Sequence, residues 1–259
     1  MLSQSERQEF EGAPRETVLD EFSLDQSPIR PGGRARIRRY CPDDREAVRR
    51  ICCDTAFLGN PIDAIFQDRK LYADLLTNPY LDHEPQWALV AEAEGRVVGY
   101  LLGSVCRRFE LVLMRSGFRT ACRMLFKVAT GRYAHHSRSE QFVRWVLFAG
   151  FRERPKHPPH AAHLHINLER PYRGRAIGPH LWATYEQMLR SAEIESCYGE
   201  FYSYRKRRPE SAYTRYGFTV FGRRQTTLFQ PEIAETLDVV CAHKWLTAGL
   251  NSRRDGPNA

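Results

Sequence analysis

At 259 residues with 42% hydrophobic side chains, the chain can build a sizeable core as one large domain or two small ones. No run of about 18 uninterrupted apolar residues occurs, so no membrane-crossing helix is expected, and the polar, acidic first residues do not read as a signal peptide. The net charge of +8 is not spread evenly: residues 107–160 hold twelve Lys/Arg against three Asp/Glu, and the rest is near neutral.

Seven cysteines (Cys41, Cys52, Cys53, Cys106, Cys122, Cys197 and Cys241) are scattered, odd in number and without a Cys-x-x-Cys pair. This usage argues against a disulfide framework and for a reducing, cytoplasmic setting.

In chain order, residues 1–33 read as a flexible polar lead-in. Ala35–Tyr40 has strand character. Pro42-Asp43-Asp44 offers a helix start, followed by an apolar stripe of Ala47, Val48, Ile51 and Cys52. Gly59-Asn60-Pro61 breaks that helix, and a second is predicted from Ile62 to Leu76, ended by Asn78-Pro79. Two strands, Trp87–Glu92 and Val97–Val105, flank Glu94-Gly95, a hairpin signal. In the basic segment, Leu111, Met114, Phe118, Cys122, Leu125 and Phe126 suit one amphipathic helix, with Ser116-Gly117 weakening its middle. Phe142, Trp145, Val146 and Phe148 suit another. Arg115, Arg119, Arg123, Lys127, Arg138 and Arg144 are expected on the wet side. A lid over an acceptor site, a solvated face and an anionic-surface contact are the three roles open to this segment.

The most informative stretch follows. Leu164–Leu168 is a short apolar strand. Arg173-Gly174-Arg175-Ala176-Ile177-Gly178 is a tight basic loop, and Leu181, Tyr185, Met188 and Leu189 place one apolar face on a helix over 176–191. A helix beginning inside a glycine loop aims unpaired N–H groups and the positive end of its dipole at one point. That geometry suits a phosphate or pyrophosphate, and Pro179 fits the first turn. Beyond it come a strand over Glu195–Tyr202, a short helix over Glu210–Tyr216 ended by Gly217, and strands over Phe218–Gly222 and Thr226–Phe229 with continuation around Leu237–Leu246. The order β-α-α-β-β-(insert)-β-α-β-α-β-β is an α/β layered pattern.

At these residues the chain resembles the GNAT acyltransferase superfamily, over roughly 35–106 and 161–246. Arg173 matches the first position of that family's Gln/Arg-x-x-Gly-x-Gly/Ala loop and Gly178 the last; Ala176 stands where Gly is usual. Arg170 occupies a usual Pro position, with Pro171 following. Tyr213 and Gly217-Phe218 match a second family feature, although Ala212 replaces an aromatic and Lys206 an Asn. The phrase His163-Leu164-His165-Ile166-Asn167-Leu168 is also similar to acetyltransferase-like domains at the end of some O-GlcNAcase chains.

The resemblance implies a mixed, mostly antiparallel sheet flanked by helices. The GNAT-like domain would span 34–246, with a helical insertion at 107–160 and a tail at 247–259. It implies an N-acetyltransferase using acetyl-CoA as co-substrate, with an amine on a small molecule or a protein as acceptor. Backbone groups of Ile166, Asn167 and Leu168 would pair with the pantetheine arm. Residues Arg173, Gly174, Arg175, Ala176, Ile177 and Gly178 would hold the pyrophosphate. Tyr213 is the candidate acid at the leaving thiolate. For the base, His165 and Asn167 share a strand face, and Glu200 on the next strand can reach the same cleft; Asp63 is a further candidate. His157, His160, His163 and His165 lack an acidic or Cys partner to complete a metal set, so no metal is expected. No Walker loop or Gly-x-Ser-x-Gly occurs. Nucleic acid is not expected as a partner, and a second copy of the chain, as a homodimer, stays open. Two alternatives remain: a binding or regulatory module of the same fold without activity, and a protein acting on an anionic surface through 107–160.

Overall fold

The computed structural model describes residues 35–205 and 209–246. The expected lead-in at 1–33, the tail at 247–259 and Lys206 lie outside the described residues.

Seven strands form one sheet: β1 (Arg36–Arg39), β2 (Ala88–Ala93), β3 (Arg96–Ser104), β4 (Ala162–Leu168), β5 (Ser196–Ser203), β6 (Thr219–Thr226) and β7 (Leu237–Trp245). Their order is β1-β2-β3-β4-β5-β7-β6, antiparallel throughout except for the parallel β4–β5 pair. The helices are α1 (Arg45–Thr55), α2 (Arg69–Leu81), α3 (Phe109–Ala129), α4 (Ser137–Phe148), α5 (Ile177–Ser191) and α6 (Glu210–Arg215). This is the mixed, mostly antiparallel sheet with flanking helices that the family resemblance implies.

The alternation of strand side chains sets the two layers. Tyr100 and Leu102 of β3 pack with α1, α2 and the insertion, among Val48, Ile51, Phe66 and Phe142. Leu101 points the other way and joins Leu164 and the apolar face of α5, Leu181, Tyr185 and Leu189. The close seat of α5 needs Gly103: a Cβ there would lie 2.3 Å from the Tyr185 ring. The β2–β3 turn uses Glu94 and Gly95, both at positive φ (54° and 73°), which matches the twist of a two-residue hairpin.

Three boundaries differ from the sequence expectations. The second helix starts at Arg69, not Ile62, because Asp68 caps it by accepting from the Leu71 N–H at 3.1 Å. It then runs through Pro79 to Leu81. Pro79 lies in the last turn, where it removes one backbone bond while Asp82 N–H still donates to Asn78 and Glu84 N–H to Tyr80. Thr226–Phe229 does not form its own strand; β6 runs from Thr219 to Thr226 with a register shift between Val220 and Gly222, and the Thr227 N–H turns away to the Glu153 carboxylate at 2.8 Å.

The insertion is where the helical pattern misleads most. Its first helix buries Phe109, Val112, Thr120 and Met124, while Leu111, Met114, Phe118, Cys122, Leu125 and Phe126 face water. Those six are therefore the solvent side and not the core side. Core contact falls to the row at 109, 112, 120 and 124 because α2 lies there, and Asp68 of the α2 cap grips Lys127 and the Tyr133 hydroxyl. The insertion is built into the main core: Phe142 of α4 stacks on Phe66 at 4.5 Å between centroids.

Candidate active site

The central feature is a fork between β4 and β5. The two strands pair only at Ala162–Cys197, His163–Tyr198 and Leu164–Gly199. Gly199 sits opposite Leu164 at the last rung, where a Cβ would meet Leu164 Cδ1 at 3.1 Å. Past that point β4 stays with β3 through Leu168, and β5 stays with β7 through Ser203. Each strand is held by its outer neighbour, so the gap between them opens at their carboxyl ends. That is the position where ligands enter open α/β sheets. Ile166, Asn167 and Leu168 lie along this opening, paired with β3 on one edge and with no strand on the other.

The basic loop closes the end of the fork. Glu169 fixes the end of β4 through ion pairs with Arg50 (2.6 Å) and Arg96 (2.8 Å). Arg173 folds back: its Nε donates to the Leu168 carbonyl at 3.0 Å and its guanidinium to the Gly59 carbonyl at 3.4 Å. This side chain braces the loop from inside. Arg175 lies over the Tyr172 ring at 5.4 Å, a cation–π contact at the mouth of α5. Gly174 (φ 76°) and Ala176 (φ 63°) both take the left-handed conformation that turns the chain into α5. Ala176 is the N-cap and caps no N–H with its side chain, which leaves the first N–H groups of the helix without a side-chain cap. An alanine at that φ carries about 1 kcal/mol of strain that glycine would not. Gly178 follows, and a Cβ there would touch only Leu168 Cδ1, at 3.5 Å.

Two further groups flank the fork from opposite faces of β5. Tyr213 on α6 is half-buried, stacked on Phe201 at 4.3 Å and edge-on to Phe218. The neighbouring residue Glu200 projects to the other side, where its Oε1 accepts from His157 Nε2 at 3.1 Å. His157 arrives from the end of the insertion, and its Nδ1 reaches Glu110 of α3, also at 3.1 Å. Burial pushes the His157 pKa down, but the two carboxylates outweigh it and hold it above its ordinary value. Burial pushes Glu200 up, yet the His157 hydrogen bond and charge leave it below the usual carboxylate range.

The remaining candidates are committed elsewhere. Burial lowers the His165 pKa to about 4, and its Nε2 meets the Asn167 amide at 3.0 Å. Asn167 also donates to the Tyr100 hydroxyl at 2.9 Å. Burial lowers His163 to about 3, and its Nδ1 meets the Tyr80 hydroxyl at 2.7 Å. His157 and His163 each stack on the Tyr198 ring, at 4.9 and 4.6 Å between centroids. Asp63 pairs with Arg69 at 2.7 Å.

His157 as partner of Glu200 was not read from the sequence, which weighed it only as a metal ligand. Its position 43 residues from Glu200, in a proline-rich loop, carries no periodic signal.

No family model matches the sequence, and no curated protein matches it. Solved structures do match the fold. One is SsHAT, 23% identical, covering 82% of this chain and 98% of that one, with a TM-score of 0.51. Another is an N-acetyltransferase from Staphylococcus aureus Mu50, 13% identical, covering 82% and 99%, with a TM-score of 0.50. The chain shares its fold with these two structures, one of which is an N-acetyltransferase.

Proposed function

We propose that this protein is an N-acetyltransferase that moves an acetyl group from acetyl-CoA to an amine of a small molecule or a protein. The observation that carries the reading is the β4–β5 fork, which opens directly onto the left-handed loop and the N-terminus of α5.

In this reading the free edge of Ile166, Asn167 and Leu168 takes the pantetheine amides as a neighbouring strand would. The N–H groups of the loop from Arg173 to Gly178 hold the pyrophosphate, with Arg175 adding charge. Arg173 serves by shaping the loop. The thioester then lies in the fork, with Phe201 and Tyr213 on one side and Glu200 on the other. The amine nitrogen attacks the thioester carbon, the carbon–sulfur bond breaks, and a proton must leave the nitrogen as the thiolate departs. Glu200, ionised and steadied by His157, is the base, directly or through one water. Tyr213 donates to the departing sulfur. His165 is neutral at physiological pH and holds Asn167 and the strand rather than taking the proton.

The alternative of a binding module without turnover has one specific observation behind it, the strained Ala176 in the cradle. Release of free CoA thiol in the presence of a panel of primary amines separates the two. Turnover that falls in Glu200→Gln supports the enzyme. Acetyl-CoA binding without thiol release from any amine supports the module.

A further inference from the structure

We infer that α3 is an interfacial helix that seats this protein on an anionic lipid surface. Leu111, Met114, Phe118, Cys122, Leu125 and Ala129 recur at i, i+3, i+7, i+11, i+14 and i+18, and all six are exposed. They form one unbroken apolar ridge about 27 Å long on the side facing away from the core. Phe118 is 72% exposed and Phe126 beside the ridge 69%. Of the twelve large hydrophobic side chains that stand exposed among the described residues, eight belong to the insertion. Contiguous exposure on this scale marks a contact surface.

The orientation is enforced from below. Met124 is fully buried, Lys127 is paired with Asp68, and Arg123 reaches Asp74 at 3.8 Å. The helix cannot roll its ridge inward without breaking these contacts.

Charge selects the occupant. Arg115 and Arg119, spaced i, i+4, run along one flank of the ridge and are exposed, and Arg107 and Arg108 precede the helix. A second copy docked antiparallel would bring two such arginine rows together. Docked parallel, it would offer them Glu110 as the sole acid on the opposite flank. An anionic bilayer satisfies both features: the ridge enters the acyl boundary while the arginines snorkel to the headgroups. No described helix is long and apolar enough to cross a membrane, so the contact is peripheral.

The test is co-sedimentation of the full chain with vesicles of equimolar phosphatidylglycerol and phosphatidylcholine, and with phosphatidylcholine alone. Binding to the anionic vesicles is expected to be roughly tenfold or more tighter, and to weaken with salt. The double variant Phe118→Asp/Leu125→Asp is expected to lose that binding. Arg115→Gln/Arg119→Gln should weaken it about tenfold. All four positions face solvent, so unchanged thermal melts confirm that the variants fold. The inference is overturned if the folded wild type pellets equally with and without anionic vesicles, or if the double Asp variant binds as well as wild type. It is also overturned if velocity sedimentation shows a dimer that the double Asp variant dissolves while vesicle binding is absent; the occupant would then be a second copy.

Discussion

His157 Nε2 and Glu200 Oε1 meet at 3.1 Å beside the fork, joining the end of the insertion to β5. The His157 side chain is only 7% exposed and that of Glu200 23%, so the pair is partly shielded from bulk water. The insertion thus reaches Glu200, the proposed base, through His157, whose other ring nitrogen faces Glu110.

Replacing Glu200 by Gln removes the proposed base. The expected loss is about 10²- to 10³-fold in kcat with little change in the acetyl-CoA KM, since the carboxylate lies away from the loop. Loss in KM alone, with kcat intact, would assign Glu200 to acceptor binding.

Tyr213→Phe keeps the stack on Phe201 and removes only the hydroxyl. Stability should change by less than about 1 kcal/mol, because the ring contacts persist. The kcat should fall roughly tenfold or more if the hydroxyl protonates the thiolate. Thermal melts and steady-state rates together check this, and an unaltered rate removes Tyr213 from the chemistry.

Ala176→Gly relieves a left-handed alanine. Glycine is favoured at φ 63° by about 1 kcal/mol, which for a chain of this size raises Tm by roughly 2–4 °C. A lower Tm would mean that the alanine methyl makes a contact worth more than the strain.

The buried histidines contribute to the acid limb of stability. His163 and His165 have folded pKa values of about 3 and 4 against an ordinary 6.5, so they stay neutral in the fold while the unfolded chain takes up protons. Their contribution is complete above about pH 6.5 and is lost as pH falls towards 4 and then 3. His157, held above 6.5, acts in the opposite sense: its contribution is present below pH 6.5 and fades as pH rises through its folded value. Burial lowers His243 as well, so three histidines act against one, and stability should drop on acidification below pH 6.5. In His163→Phe, which retains a ring against Tyr198 but leaves the Tyr80 hydroxyl without its partner, overall stability falls while the pH slope between 6.5 and 4 becomes shallower. Denaturant midpoints across that range measure both; an unchanged slope would show that His163 is not the group responsible.

The element order and the tight basic loop that leads into α5 could be read directly because both are local. The 3.6-residue period of Leu181, Tyr185 and Leu189, the Glu94-Gly95 turn and the basic glycine loop each declare themselves within a dozen residues. Two things were not local. Apolar periodicity in α3 occurs on two faces, and only the position of α2 decides which one is buried. The ion pair of His157 with Glu200 depends on where a proline-rich connection delivers its histidine, and no pattern in that connection encodes the destination. The conformation of Ala176 was likewise undetermined until its φ was known, since either sign keeps the N–H.

Calorimetric titration with acetyl-CoA, alongside CoA and desulfo-CoA, tests the central claim most directly. The account predicts one-to-one binding of acetyl-CoA to the wild type. Gly178→Glu should weaken it about a hundredfold, because that variant has space for its Cβ yet sets a carboxylate where the pyrophosphate belongs. Absence of binding by all three ligands, or undiminished binding by Gly178→Glu, would contradict the assignment of the fork and its loop as the cofactor site.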